Sequence, residues 1–68
     1  MPKESILAYN IKRYRKKLNI SQDKLSKLSN VTYNTIIKIE SGRNDNPTMK
    51  TITKIASALG VSIDDLAK

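Results

Sequence analysis

The segment Tyr33 to Lys38 (YNTIIK) groups a phenol, an amide, an aliphatic side chain and an ammonium at helical spacing. Asparagine can hydrogen-bond adenine bidentately, lysine can bond guanine, and an aliphatic group can pack on a thymine methyl. A helix would bring these side chains to one face, which would then suit contact with DNA base edges. A solvated helix face with one stray isoleucine has the same composition, so the residues alone leave both interpretations open. The four residues are Tyr33, Asn34, Ile37 and Lys38.

Two adjacent isoleucines, Ile36 and Ile37, define the two sides of this predicted helix. Neighbours on a helix point about 100° apart, so both cannot belong to one narrow apolar stripe. Ile36 shares a side with Ile39, whereas Ile37 falls between Tyr33 and Lys38. We therefore expect Ile36 in the core and Ile37 on the outward polar face.

Turn-forming residues divide the chain into five segments whose apolar residues recur three and four apart, which is helical spacing. The turns are at Asn19, Asn30, Gly42 to Pro47, and Gly60. Good N-cap residues precede four segments, namely Ser21, Thr32, Thr48 and Ser62. We predict an all-α fold in a single domain over residues 1–68, a compact bundle of five short helices. Their approximate ranges are 4–18, 21–29, 32–41, 48–59 and 62–67.

The predicted core consists of one apolar stripe from each helix. The stripes are Leu7, Ile11, Tyr14 and Leu18; Leu25 and Leu28; Ile36 and Ile39; Ile52, Ile55, Ala56 and Leu59; and Ile63 and Leu66. Only Asn30 and Val31 separate the second and third helices. Because so short a link forces a sharp crossing, these two helices are expected to form a helix-turn-helix.

The positive charge is confined to one part of the chain. The net charge is +7, and residues 1–43 hold ten Lys/Arg against three Asp/Glu, whereas residues 44–68 hold three of each. A one-sided basic field suits a polyanion such as nucleic acid. The absence of Cys fits a reducing compartment, and no apolar run approaches membrane-spanning length. We expect a soluble, cytoplasmic protein without membrane contact.

The residue inventory argues against enzymatic chemistry. Histidine and cysteine are absent from the sequence, and no Gly-rich phosphate loop or acidic cluster is present. Asp64 and Asp65 are adjacent carboxylates, but they are explained by capping and by the dipole of the last helix. We predict no catalytic site, no metal and no cofactor.

Several motifs occur in order along the chain: RYRKKL, ISQDKLSKLSNVT, TIIKIESGRN, NPTMKTITKIASALGVS and IDDL. From Ile11 to Leu66 this series closely resembles the phage-repressor and Cro-like helix-turn-helix family, often called XRE-like. Relatives usually have Gly at the positions of Asn19 and Asn30. Since Asn tolerates positive φ best after Gly, both turns are expected to survive.

The resemblance implies a role for each of several residues. Gln22 is expected to bond a DNA phosphate, and Arg15 and Glu40 are expected to form a salt bridge between the first and third helices. Base contacts are expected from Tyr33, Asn34, Ile37 and Lys38, although relatives usually carry a small or polar residue at position 37. Phosphate contacts are expected from the loop residues Arg43, Asn44 and Asn46. We also expect Asn10 and Lys12 of the first helix to reach phosphates.

These features predict a sequence-specific double-stranded DNA-binding transcriptional regulator that acts as a repressor and reads the major groove with its third helix. We expect a homodimer on a pseudo-palindromic operator, with the exposed parts of the last two helices as its interface. The expected location is the nucleoid of a bacterial, archaeal or phage-type system. Two alternatives stay open. The chain is an antitoxin, a restriction-modification controller or a domain of a longer protein, or else it is a helical protein-interaction module without DNA binding.

Overall fold

The computed structural model describes residues 5–44 and 46–67. Within these ranges the chain forms α-helices and no strand, which confirms the predicted all-α bundle. The helices are α1 (Ile6–Lys17), α2 (Gln22–Ser29), α3 (Tyr33–Glu40), α4 (Met49–Leu59) and α5 (Ile63–Ala67). The predicted ranges differ mainly because they counted the capping residues. Glu4, the predicted start of the first helix, lies outside the described residues.

Side-chain caps fix where the helices begin. Ser21, Thr32 and Thr48 each accept a hydrogen bond from the backbone amide three residues ahead, as predicted. Ser5 caps α1 in the same way, which the sequence analysis did not anticipate. At α5, the Ser62 hydroxyl accepts from the Asp65 amide at 3.0 Å, and Asp65 accepts from the Ser62 amide at 3.1 Å. This reciprocal pair satisfies two amides that a helix start leaves without intrahelical partners.

Left-handed residues follow or end four of the helices, at Asn19, Asn30, Gly42 and Gly60. Asn19 and Asn30 have φ values of 58° and 59°, so asparagine takes the conformation expected at both positions. Gly60 ends α4 with φ 73°, and the Val61 amide behind it donates to the Ala56 carbonyl at 3.0 Å. The Asn30 turn joins α2 to α3, and these two helices pack against each other as a helix-turn-helix.

The core lies where the five described helices meet, with α1 packed on α3 and α5, and α2 packed on α3 and α4. Its fully buried large side chains come from every helix. They are Ile11, Leu25, Ile36, Ile39, Ile55 and Leu66. None of the helices in the described ranges has the length and apolar character needed to cross a membrane.

Two residues assigned to the core from sequence are exposed, and that part of the prediction is wrong. Leu18 is 50% exposed, because it is the C-cap residue of α1 and lies beyond the packed turns. Leu28 is 53% exposed, because α2 turns the side formed by Leu25 and Ser29 inward. Burial of the Ser29 hydroxyl is tolerated because it donates to the Leu25 carbonyl at 2.7 Å.

Candidate nucleic-acid interface

The outward face of α3 carries the residues that the sequence analysis grouped there. Tyr33, Asn34 and Lys38 are exposed, with Tyr33 at 46%, whereas Ile36 and Ile39 on the opposite side are fully buried. Thr32 caps the helix and accepts from the Thr35 amide at 3.3 Å. The face therefore presents an amide, an ammonium and an aromatic ring on a short helix whose other side is fixed in the core.

Ile37 lies in the middle of this face, and its solvent exposure is between that of a core residue and that of a fully exposed one. It is partly buried, whereas the helical spacing predicts a simply outward position. Ile37 is not one of the partly buried apolar side chains that pack against the core in the described part of the chain. Its adjacent neighbour Ile36, in contrast, is 0% exposed and belongs to the core cluster. Ile37 is thus an apolar group on a polar face.

A buried ion pair fixes the C-terminal end of α3 to α1. The Glu40 Oε2 atom accepts from Arg15 Nε at 2.7 Å, and Oε1 accepts from Arg15 Nη2 at 3.0 Å. The side chains are 13% exposed for Arg15 and 3% for Glu40. Arg15 Nη1 also donates to the Ile20 carbonyl at 2.8 Å, so the pair holds the turn between α1 and α2 as well. The salt bridge implied by the family resemblance is confirmed.

Gln22 is the first residue of α2, and its side chain is directed to the same carboxylate. Its Nε2 donates to Glu40 Oε1 at 3.2 Å, and the side chain is partly buried. The start of a helix offers unpaired amides and the positive end of the helix dipole, which favours an anion. Asp23 in the same turn opposes that tendency, but it pairs with Lys27 at 3.2 Å.

The loop after α3 folds back on the helix that precedes it. The Asn44 amide donates to the Lys38 carbonyl at 3.1 Å, and the Arg43 amide donates to the Ser41 hydroxyl at 3.4 Å. The Asn46 amide donates to the Asn44 side-chain oxygen at 3.2 Å. The amides of Arg43, Asn44 and Asn46 are therefore engaged within the chain, and these three residues can offer a phosphate only their side chains. The Arg43 side chain is exposed.

Asn10 does not belong to the interface, and its assignment as a phosphate contact is corrected. It is 2% exposed, and its Nδ2 donates to the Leu66 carbonyl of α5 at 2.8 Å. A buried side chain with this partner holds α1 against α5 and is not accessible to DNA. The sequence did contain a signal, because Asn10 lies three residues after Leu7 and four before Tyr14, both on the packed side.

Lys12 remains on the outer part of α1, in a partly buried position. It lines an open cleft of about 310 Å³ together with Tyr9, Arg13 and Lys16. The Arg13 guanidinium lies 4.7 Å from the centre of the Tyr14 ring, a cation–π distance. Neither this stacking nor the bond between Gln22 and Glu40 is predictable from the sequence, because both depend on side-chain rotamers.

A short capped helix with an exposed polar face, joined by a tight left-handed turn to the helix before it, defines the helix-turn-helix class of proteins. A family model described as helix-turn-helix matches residues 11–66. The chain belongs to this family, the XRE-like helix-turn-helix proteins.

Two relatives extend the comparison. The chain is 43% identical over 56 residues to an uncharacterized HTH-type transcriptional regulator, MJ0272, of Methanocaldococcus jannaschii, covering 82% of this chain and 83% of the relative. It is 38% identical over 56 residues to an uncharacterized HTH-type transcriptional regulator of Archaeoglobus fulgidus, covering 82% and 78%. No solved structure matches the chain significantly.

Proposed function

We propose that this protein is a sequence-specific double-stranded DNA-binding transcriptional regulator that inserts α3 into the major groove. The observation that carries the proposal is the outward face of α3. It holds Asn34, Ile37 and Lys38 together on a helix whose other side is anchored by Ile36 and Ile39. The names of the two archaeal relatives as HTH-type transcriptional regulators support the regulatory role.

Phosphate contacts would fix the position of the domain on the duplex before bases are read. Gln22 lies at the start of α2 with a side-chain amide, and Arg43 offers an exposed guanidinium beyond the end of α3. The Asn44 and Asn46 side chains and Lys12 add further polar groups. Contacts of this kind position a protein without reading sequence, and they make affinity fall steeply with salt.

Base recognition then belongs to α3. Asn34 suits an adenine edge and Lys38 suits guanine O6 and N7, each contributing about 1–3 kcal/mol of discrimination. Ile37 packs on a thymine methyl, since it is the apolar group at the centre of the face. Tyr33 begins the helix, where its ring meets a second methyl or its hydroxyl bonds a phosphate.

The regulator acts as a repressor in this proposal. It binds as a pair of copies on a pseudo-palindrome, because one short reading helix contacts too few bases for adequate specificity. The exposed residues of α4 and α5 are mostly polar, and Met49 at 64% is the large apolar exception. A polar surface of this kind supports association on the DNA, where the duplex aligns both copies, rather than a tight dimer in solution.

Selection of bound duplexes from a random pool tests the proposal. We expect one enriched half-site. We also expect log Kd to rise linearly with log salt concentration, because salt weakens the phosphate contacts. A helical protein-interaction module would enrich no sequence and show no salt-dependent binding. That result would refute the proposed function.

A further inference from the structure

The carboxylate of Glu40 connects three helices at one point. One oxygen accepts from Arg15 of α1, and the other accepts from both Arg15 and Gln22 of α2. Glu40 itself is the last residue of α3. The residue proposed to hold a phosphate is therefore bonded directly to the helix proposed to read bases.

The bond to Glu40 also fixes which end of the Gln22 amide faces inward. The reversed amide would place its oxygen against a carboxylate oxygen, and two acceptors cannot bond each other. Nε2 must therefore face Glu40, at the 3.2 Å separation found here. An amide nitrogen carries two hydrogens, so one N–H remains available, and a phosphate accepts only from such a donor.

We propose that Glu40 is a positioning residue for DNA binding, which acts by holding Gln22 so that its second N–H is presented to a phosphate at the start of α2. The inference rests on the proposed function and adds a coupling between two residues that a fold-stabilising salt bridge does not require. Glu40 does not contact DNA, because its side chain is 3% exposed and its oxygens are engaged within the protein.

The physical benefit is a smaller ordering cost on binding. Glutamine is among the side chains that lose the most rotamer freedom when they are fixed. A Gln22 side chain already held by Glu40 loses less when the phosphate arrives. The same bond keeps the distance between the phosphate-binding amide and α3 constant. The base-reading side chains therefore enter the groove at a fixed position relative to the bound phosphate.

A double-mutant cycle isolates this coupling. The first change is Gln22→Met, which keeps side-chain length and helix propensity but removes the donor. The second is the joint replacement Arg15→Met with Glu40→Leu, which leaves the net charge unchanged and strands neither partner of the buried pair. Kd is measured for the wild type, both variants and their combination on the selected duplex, at a temperature where circular dichroism shows all four folded.

We expect Gln22→Met to weaken binding about tenfold or more, as for a lost hydrogen bond to a charged group. In the wild-type background the paired replacement should weaken binding about three- to tenfold. In the Gln22→Met background the same replacement should weaken binding by less than about twofold, because no Gln22 side chain is left to be held. An equal loss in both backgrounds would overturn the inference and leave a purely structural ion pair. If the wild type itself binds no duplex selectively, the proposed function fails first, and the inference fails with it.

A measurement on the unmodified protein covers the case in which the paired replacement does not fold. Gln22 is the only glutamine in the chain, so its side-chain amide is readily assigned by NMR. We expect one Nε2 proton to be shifted downfield and protected from exchange with water. Shifts and exchange equal to those of a free glutamine would show that the bond to Glu40 is absent in solution and would overturn the inference.

Discussion

The adjacent isoleucines of α3 allow the core and the reading face to be tested with the same chemical change. Ile36 is 0% exposed inside the core, and Ile37 is partly buried outside it. Ile36→Ala removes buried methylene and methyl groups and leaves a cavity, so we expect a loss of about 2–5 kcal/mol. A domain of this size has a total stability of only about 3–10 kcal/mol. Ile36→Ala should therefore lower Tm by about 8 °C or more.

Ile37→Ala should cost less than about 1 kcal/mol of folding stability, because part of the deleted surface is already in water and no core contact is lost. Thermal melting followed by circular dichroism compares the two variants under one condition. We expect the Tm loss for Ile36→Ala to be at least about twice that for Ile37→Ala. Equal losses, or a larger loss at Ile37, would refute the assignment of the two faces.

The binding half of the same prediction uses uracil. Replacing one thymine by uracil removes only the C5-methyl group, so a duplex series scans the selected site for methyl contacts. We expect the wild type to lose about 1–2 kcal/mol of binding free energy at one such position. The Ile37→Ala variant should bind the thymine and uracil duplexes equally. A wild type that is indifferent to uracil throughout the site would exclude the thymine-methyl contact.

Three further substitutions separate base contacts, phosphate contacts and structural contacts. Lys38→Ala and Asn34→Ala should each relax base preference at one position by about 1–3 kcal/mol, which a repeated duplex selection would detect. Arg43→Ala should weaken all duplexes alike and reduce the slope of log affinity against log salt by about one, and a changed preferred site would contradict this. Asn10→Ala should lower stability by about 1–3 kcal/mol, because the buried Leu66 carbonyl loses its donor. With the protein still folded, its Kd for DNA should be unchanged, and weakened binding would restore Asn10 to the interface.

Local chemistry made much of the fold predictable from the sequence. Ser21, Thr32 and Thr48 are caps because their short side chains reach an amide of the first helical turn. Asn19 and Asn30 mark turns because few other residues adopt positive φ at low cost. Such features depend on residues a few positions apart, so a sequence pattern is sufficient to identify them.

Residues at the edge of a helix stripe were harder to assign. Leu18 and Leu28 are apolar but exposed, whereas Asn10 is polar but buried. The sequence gives the angle of each side chain about its own helix axis, but not how far the neighbouring helix covers that angle. For Asn10 the spacing from Leu7 and Tyr14 indicates the packed side, but its hydrogen-bond partner is a carbonyl on α5, 56 residues away in the chain, which no local pattern reveals.

The sequence by itself determined the five helical segments and the grouping of Tyr33, Asn34, Ile37 and Lys38 on one face, since helical periodicity fixes both. It also determined the helix-turn-helix, because a link of two residues forces a sharp crossing of the second and third helices. Only the tertiary structure decided that Gln22 is bonded to Glu40 and that the backbone amides of Arg43, Asn44 and Asn46 are engaged within the chain. The reason is geometric. A hydrogen bond requires two atoms within about 3.5 Å and suitably aligned, and this condition is met only when the helices have packed and the rotamers are set.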